Sequence, residues 1–256
     1  MTGEGIMSGV TENETVDELR DYDLRIIQPR HGYRFSVDPL LLCDFAGTCR
    51  GEVIDLGTGC GVMALIMARK APDSRITGVE FREESARLAG RNGALNGLLP
   101  QVTIIHADIL QLKERFPVSS FELVLANPPF RRAGSGKISP CAGRDTARHE
   151  STATLEDFLS AAKYLVKPAG RICFIYHVSR LSELVARAYQ LNLGLLRLRF
   201  VHGGGEDPAR MVLLELVKGR NGELTVLPPL VVSHGNMKKE GGCQGTKRVT
   251  CGAETR

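Results

Sequence analysis

The segment Asp55–Gly61, with the sequence DLGTGCG, stands between two apolar stretches, EVIDL and VMALIMARK. Glycines in such a turn let the chain bend tightly and let a ligand approach the backbone. A P-loop would need a Gly-Lys-Ser/Thr step that is missing here, and a dinucleotide-binding turn would need Gly or Ala in place of Val62. The pattern D-x-G-x-G-x-G places an acid beside the glycines, which favours a positively charged ligand over a pyrophosphate.

Two more acids, Glu80 and Asp108, end the next two apolar segments. Ligands of open α/β sheets bind at the carboxyl ends of the strands, so three successive strands that end in acids indicate a binding crevice. Glu80 could accept hydrogen bonds from both hydroxyls of a ribose. Asp108 could accept one from the exocyclic amine of adenine, or it could cap a helix that begins at Ile109. The combination predicts S-adenosyl-L-methionine as the cofactor. The predicted cofactor-binding residues are Asp55, Gly57, Thr58, Gly59, Gly61, Glu80, Phe81, Asp108 and Asn127.

The tetrapeptide Asn127-Pro128-Pro129-Phe130 ends a fourth apolar segment, FELVLAN. Since neither proline can donate a ladder hydrogen bond, one interpretation is a simple strand terminator. A chemical role is also available, because the amine of adenine and the amide of glutamine are poor nucleophiles with delocalised lone pairs. The Asn127 side-chain oxygen and the Pro128 carbonyl could hold the two N–H groups and aim the lone pair at a methyl group. Phe130 could stack on the planar substrate. We therefore predict methyl transfer to a planar NH₂ nitrogen, with these four residues as the catalytic set.

A basic segment, residues 131–149, follows this tetrapeptide and carries five basic residues against one acid. Such a run is usually a solvated loop, but its place beside a catalytic motif favours a polyanionic substrate. His149 and Glu150 fit a substrate contact and the start of a helix equally well. The predicted substrate-binding residues are Phe130, Arg131, Arg132, Lys137, Arg148 and His149.

Strand and helix patterns alternate from Glu52 to about Asn192, and two apolar strands, LLRLRFVH and MVLLELVKG, follow. Near-continuous apolar strands between helices predict a parallel sheet covered on both faces. We predict an α/β, Rossmann-like, doubly wound sheet of seven mostly parallel strands, with a C-terminal antiparallel hairpin and a short N-terminal extension. This is the layout of the class I methyltransferases.

The amino-acid composition limits the classes of protein to which this chain can belong. The chain has 256 residues, 43% of them hydrophobic and 24% charged, which is typical of a globular protein. Seven cysteines without a C-x-x-C pair indicate neither a disulfide framework nor a zinc site. The sequence has neither a signal peptide pattern nor an apolar run of membrane-spanning length, which predicts a cytoplasmic protein with no membrane partner. We also expect no bound metal. We expect a monomer rather than an obligate oligomer. The predicted division is a disordered leader (1–21), a single methyltransferase domain (22–232) and a disordered basic tail (233–256).

Taken together, DLGTGCG, Glu80, Asp108 and NPPF resemble the class I N-methyltransferases that act on amino groups of planar substrates. Further matches resemble the bacterial tRNA(Val) adenosine N6-methyltransferases and run from about residue 23 to 232. They are Phe35-Ser36 with Asp38 and Leu40–Leu42, Ala147–Glu150, the FVH before a glycine-rich loop, and the closing PPLVV. The resemblance implies methylation of the N6 amine of the adenosine that follows the anticodon, with tRNA as the partner.

Other classes share the NPPF chemistry. Protein glutamine methyltransferases of release factors carry an N-terminal helical domain, for which about 50 residues before the glycine turn leave no room. Ribosomal guanine N2-methyltransferases often carry a duplicated half that is absent from this sequence. An N5-glutamine methyltransferase, an rRNA or DNA amino-methyltransferase, and a non-catalytic binding subunit remain the alternatives.

Overall fold

The computed structural model describes residues 10–32, 34–129, 153–204, 206–219 and 223–232. The predicted site residues Phe130, Arg131, Arg132, Lys137, Arg148 and His149 lie outside these ranges, as does the tail predicted for 233–256.

Eleven strands and five α-helices form the described parts of the chain. The strands are β1 Glu14–Leu19, β2 Leu24–Pro29, β3 Glu52–Leu56, β4 Arg75–Glu80, β5 Val102–His106, β6 Phe121–Ala126, β7 Val166–His177, β8 Leu193–His202, β9 Ala209–Lys218, β10 Thr225–Val226 and β11 Leu230–Val231. The helices are α1 Asp38–Ala46, α2 Val62–Lys70, α3 Glu83–Leu95, α4 Leu155–Leu165 and α5 Leu181–Gln190.

The main sheet has the strand order β10-β8-β9-β7-β6-β3-β4-β5, with β11 also paired to β8. Strands β3 to β7 are mutually parallel, and β9 is antiparallel to both β7 and β8. The predicted α/β sheet and its terminal hairpin are therefore confirmed. The predicted number of seven strands is wrong, because the two-residue strands β10 and β11 extend the β8 edge to give nine.

The N-terminal part of the chain corrects a second prediction. Residues 14–19, assigned above to a disordered leader, form β1 and pair antiparallel with β2. Ion pairs from distant positions stabilise this polar strand: Arg91 of α3 binds Glu14 through two nitrogens at 2.6 and 2.8 Å, and Arg34 binds both oxygens of Asp17. The Arg91 guanidinium lowers the pKa of Glu14 to about 2. We call this pair of strands, residues 14–29, the N-terminal hairpin.

Strand β7 contains Pro168 near its start, beside a register shift in the pairing with β6 between Phe121 and Leu123. A proline is tolerated at such an irregularity because no regular ladder bond is required of it there.

Two apolar clusters pack on the two faces of the sheet, and successive strand residues alternate between them. Val53 belongs to the first cluster and Ile54 to the second, as the period of a strand requires. The first cluster joins α1, α2 and the N-terminal hairpin, and it also contains Leu230 and Val232 from the last described segment. The second cluster joins α4 and α5. Both faces are therefore covered, as predicted from the apolar strands.

A charged cluster fixes the direction of α1. Glu215 of β9 is buried and binds Arg171 of β7 and Arg197 of β8, and these arginines also donate to the carbonyls of Phe45, Ala46 and Thr48 at the end of α1. Cations suit the C-terminal carbonyls of a helix. Arg171 pairs with Leu123, near the amino end of β6, so α1 ends toward the amino edge of the central strands.

We expect Glu215→Gln to lower the free energy of unfolding by about 3 kcal/mol, since removing one partner of a buried ion pair leaves charge uncompensated. Denaturant unfolding measures this loss. The matched control is Glu83→Gln, which removes an exposed pair with Arg87 and should cost at most about 0.5 kcal/mol. Equal effects of the two substitutions would contradict the assignment of a stabilising role to the buried cluster.

Candidate active site

The carboxyl ends of β3, β4 and β6 form one continuous edge. Leu56 of β3 pairs with Val79 on one side and with Ala126 on the other. The glycine turn, Glu80 and Asn127 each follow directly from one of these positions. The structure therefore places the three central sequence motifs side by side, at the edge where ligands of such sheets bind.

The glycine turn, residues 57–61, is fastened to the end of β4 by three backbone N–H groups. Those of Gly57 and Thr58 donate to the Val79 carbonyl at 2.9 Å, and that of Gly59 donates to Glu80 Oε2 at 2.9 Å. Around a Cβ built on Gly59 there is open space to 4 Å, so a ligand could approach the backbone closely at this point. These hydrogen bonds hold the backbone of the glycine turn in place and leave space for a ligand at Gly59.

Asp55 lies beneath the turn rather than on the wall of the crevice. Its side chain is fully buried, and Oδ2 accepts a hydrogen bond of 2.6 Å from the Thr58 hydroxyl. Oδ1 is buried without a hydrogen-bond partner among the described residues. Burial raises the pKa of Asp55 to about 7; the Thr58 hydroxyl opposes this rise and the Glu80 carboxylate adds to it. A cation bound in the crevice would stabilise the ionised form.

Gly78 is a site residue that the sequence analysis missed. A Cβ on this β4 residue would lie 3.0 Å from both Cγ2 and Oγ1 of Thr58 and 2.8 Å from Ile104 Cδ1. The absence of a side chain at 78 therefore makes room for the hydroxyl that binds Asp55. A lone glycine within an apolar strand was the available signal, since such residues often mark a close approach.

We expect Gly78→Ala to displace Thr58, to destabilise the protein by about 1–3 kcal/mol and to weaken cofactor binding, because the overpacked methyl group disrupts the Thr58–Asp55 bond. Gly90→Ala is the matched control: it lies in α3 with open space around its Cβ and should stabilise by up to about 1 kcal/mol. Thermal unfolding and cofactor titration of both variants give the comparison. Unchanged cofactor affinity in G78A would show that Thr58 does not depend on this space.

Glu80 is buried at the end of β4, and both of its carboxylate oxygens are already used. Oε2 accepts from Gly59 N–H and Oε1 accepts from Arg82 N–H, each at 2.9 Å. A carboxylate oxygen has two acceptor positions, so each oxygen keeps one for a ligand hydroxyl. The backbone bonds fix the orientation of the carboxylate, which is what bidentate recognition of a ribose needs.

Asp108 and Phe81 lie at the neighbouring strand ends. Asp108 caps the 3₁₀ helix Ile109–Glu114 by accepting from Leu110 N–H at 3.0 Å, so the capping alternative is confirmed. This bond uses one oxygen and leaves the other available to a ligand amine. His106, opposite Glu80 in the sheet, contacts the Phe81 carbonyl through Nε2 at 2.9 Å and fixes the backbone there.

Asn127 is the first residue after β6 and is half-buried, followed by buried Pro128 and exposed Pro129. Within the described ranges no group forms a hydrogen bond with the Asn127 side chain. An amide at a strand end that leaves its oxygen and nitrogen uncommitted is suited to binding a ligand. The planar partner predicted for it, Phe130, lies outside the described residues.

Arg34 and Phe35, which lie between β2 and α1, contact the N-terminal hairpin. Arg34 donates to Thr15 Oγ1 at 2.7 Å, to the Pro29 carbonyl at 2.8 Å and to Asp17. Gln28 is buried; its amide nitrogen donates to Asp17, and its oxygen accepts from Phe35 N–H at 3.0 Å. These two residues are therefore held to the N-terminal hairpin by polar contacts, and Phe35 packs on the first apolar cluster.

The arrangement fits S-adenosyl-L-methionine. The buried Asp55 carboxylate beneath the turn suits a cationic ligand, the open backbone at Gly59 allows close approach, and Glu80 keeps acceptor positions for hydroxyls. In the described parts of the chain, no cluster of three or more His, Cys, Asp or Glu side chains could hold a metal ion. None of the described helices is long and apolar enough to cross a membrane.

Residues 37–180, more than half of the chain, match the family model of the methyltransferase small domain. A tRNA1(Val) (adenine(37)-N6)-methyltransferase of Porphyromonas gingivalis is 34% identical over 152 residues, which are 58% of this chain and 59% of that relative. The chain thus spans 59% of the length of this relative. The protein of the same name from Erwinia tasmaniensis is 32% identical over 75% of this chain and 78% of its own length.

Solved structures share the fold. A predicted O-methyltransferase, Atu636 from Agrobacterium tumefaciens, superposes with a TM-score of 0.62 at 21% identity, over 78% of this chain and 90% of that one. TrmN from Thermus thermophilus has a TM-score of 0.51 at 27% identity, over 70% of this chain and 47% of its own. The fold is that of the class I methyltransferases.

Proposed function

Because the chain belongs to the methyltransferase small domain family, we propose that it is an S-adenosyl-L-methionine-dependent enzyme that methylates the N6 amine of an adenosine in tRNA. The target is the adenosine that follows the anticodon, in a loop whose bases are easily splayed out. The relatives named as tRNA1(Val) (adenine(37)-N6)-methyltransferases support this substrate. A tRNA substrate agrees with the cytoplasmic location expected above.

One observation carries the chemistry: the amide of Asn127, which forms no hydrogen bond with the described residues, lies next to the glycine turn at the sheet edge. When bound, S-adenosyl-L-methionine supplies an electrophilic methyl group on its sulfonium. The Asn127 side-chain oxygen and the Pro128 carbonyl accept hydrogen bonds from the two N–H groups of the substrate amine. This geometry favours tetrahedral character at nitrogen and directs the lone pair toward the crevice. No strong base is needed, because the nitrogen loses its proton after it has become cationic.

The residues beneath the crevice act on the cofactor. Glu80 holds the Gly59 backbone and offers its remaining acceptor positions to the ribose hydroxyls. Asp55 supports the turn through Thr58 and supplies negative charge beneath it. Asp108 offers its second oxygen to the adenine amine, and Phe81 packs beside it. Phe130 stacks on the target base, and Arg131, Arg132, Lys137, Arg148 and His149 contact the tRNA backbone.

A methyl-transfer assay tests the proposal. The purified protein is incubated with methyl-labelled cofactor and, in parallel, unmodified total tRNA, duplex DNA or a release-factor protein, and nucleosides are analysed. We expect N6-methyladenosine in tRNA alone. A tRNA1(Val) transcript with guanosine in place of the adenosine that follows the anticodon is the matched control and should take up no label. Label in the protein or in DNA would overturn the substrate, and label in the control transcript would overturn the position.

A further inference from the structure

Two asparagines, Asn92 in α3 and Asn96 directly after it, bind the free edge of β2. Asn92 Oδ1 accepts from Ile27 N–H at 2.7 Å and Nδ2 donates to the Ile27 carbonyl at 3.1 Å. Asn96 repeats the pattern one helical turn later, with Arg25 N–H at 2.9 Å and the Arg25 carbonyl at 2.7 Å. The two amides thus take the place of a neighbouring strand along β2.

Each amide nitrogen donates one further hydrogen bond. That of Asn96 donates to the Asn92 carbonyl at 2.8 Å, whereas that of Asn92 donates to the Cys60 carbonyl, in the middle of the glycine turn, at 2.9 Å. The Asn92 side chain is fully buried, and all three of its contacts are to backbone groups. One amide therefore bonds the N-terminal hairpin and the glycine turn at the same time.

The turn also lies directly against α3 one helical turn before Asn92. Gly61 has a φ of +86°, and a Cβ there would lie 3.1 Å from Ala89 Cβ and 3.3 Å from Ala89 Cα. Ala89 is fully buried. Ala89 and Asn92 lie on one face of α3, so this face of the helix packs against the glycine turn and also forms a hydrogen bond with it.

We propose that Asn92 is a positioning residue for cofactor binding, which fixes the glycine turn by holding the Cys60 carbonyl and so couples the turn to the N-terminal hairpin. The proposal rests on the proposed function, in which this turn binds the cofactor. Asn92 touches neither the crevice nor the substrate; it acts through the backbone at residues 59–61. Second-layer hydrogen bonds of this kind orient the groups that contact a ligand.

The contact explains why a buried amide is retained in an otherwise apolar setting. Burying an amide without partners is unfavourable, whereas an amide with satisfied donors and acceptor specifies a single arrangement of its neighbours. Without Asn92, the Cys60 carbonyl would lose this donor, and the turn would keep only its bonds to β4 and the Thr58–Asp55 bond to β3 as hydrogen bonds to other elements among the described residues.

Asn92→Ala and Asn96→Ala form a matched pair for the test. Both substitutions remove a side-chain amide that binds β2, but only Asn92→Ala removes a hydrogen bond to the glycine turn. Isothermal titration with S-adenosylhomocysteine, below the unfolding temperature of both variants, should show affinity weakened at least about tenfold in N92A and changed less than about twofold in N96A. Asn92→Ser, which leaves a smaller cavity, is the second variant should N92A not fold.

Amide hydrogen exchange gives an independent readout in the ligand-free protein. We expect faster exchange at Gly59 and Gly61, whose N–H groups bond Glu80 and the Thr58 carbonyl, in N92A but not in N96A. Equal affinity losses in the two variants, or unchanged exchange at the turn in N92A, would overturn the positioning role. Failure of the wild-type protein to bind S-adenosylhomocysteine would instead count against the proposed function. The hydrogen-exchange result would still decide the role of Asn92.

Discussion

Asn127→Ala is expected to lower the rate of methyl transfer by about 10²–10³-fold, the usual cost of removing one preorganised polar group that stabilises a transition state. The substitution deletes the side-chain oxygen that accepts an N–H of the substrate amine and leaves Pro128 as the only acceptor. Because Asn127 forms no hydrogen bond with the described residues, the fold should remain unchanged. The contribution to cofactor binding that is also predicted for Asn127 would appear as a lower affinity for S-adenosylhomocysteine. Single-turnover methylation of tRNA and titration of the cofactor product measure the two quantities separately.

Asn127→Asp is the matched control, because aspartate keeps an acceptor oxygen at the same position. We expect this variant to retain more activity than N127A. Normal methylation by N127A would refute the role of the amide, and weak nucleoside binding by N127A would place Asn127 in the cofactor site instead of against the substrate amine.

Asp55→Asn is expected to have opposite effects on binding and on stability. Loss of the negative charge beneath the glycine turn should weaken binding of S-adenosyl-L-methionine by more than about tenfold, since charge at short range in a buried site contributes over 1 kcal/mol. The ligand-free protein should become more stable above pH 7, because the wild type must bury an ionised carboxylate there. The asparagine still accepts from Thr58, but its amide nitrogen has no described acceptor, so we expect a net gain of about 1–2 kcal/mol.

The pH dependence distinguishes this explanation from a general repacking effect. The pKa of Asp55 is raised to about 7 in the folded protein from an ordinary value of 3.8. The folded form therefore binds this proton more tightly than the unfolded chain, and the associated stability is complete below pH 3.8 and lost as the pH rises to about 7. The advantage of D55N over the wild type should accordingly grow from pH 5 to pH 7 and stay level above. An advantage independent of pH would show that Asp55 is not the titrating group.

The regular elements of this fold could be predicted because each has a local cause. Strand β3 and helix α2 coincide with the stretches EVIDL and VMALIMARK, since these apolar runs border the glycine turn between them. The strand β1 could not be predicted, because its polar residues are stabilised by Arg34 and by Arg91, far along the chain. Sequence patterns contain no signal for partners at that separation.

The candidate active site, like the fold, could be predicted only in part from the sequence. Asp55, Glu80, the glycine turn and Asn127 were predicted to share one edge because parallel strands end together, and the structure places them there. Their detailed roles were not predictable: Asp55 supports the turn from below, and Glu80 uses both oxygens on backbone groups. Gly78 and Asn92 were missed because each acts through contacts with residues of other elements.

The first apolar cluster contains residues from both ends of the described chain. Leu19 and Leu24 of the N-terminal hairpin share it with Leu230 and Val232. A ribosome releases the hairpin long before residues 230–232 emerge, so this side of the core is completed only after nearly the whole described chain has been synthesised. Contacts at such sequence separation slow folding. The hairpin that supports the cofactor turn therefore completes its packing only after residues 230–232 have been synthesised, and until then its apolar residues are available to chaperones.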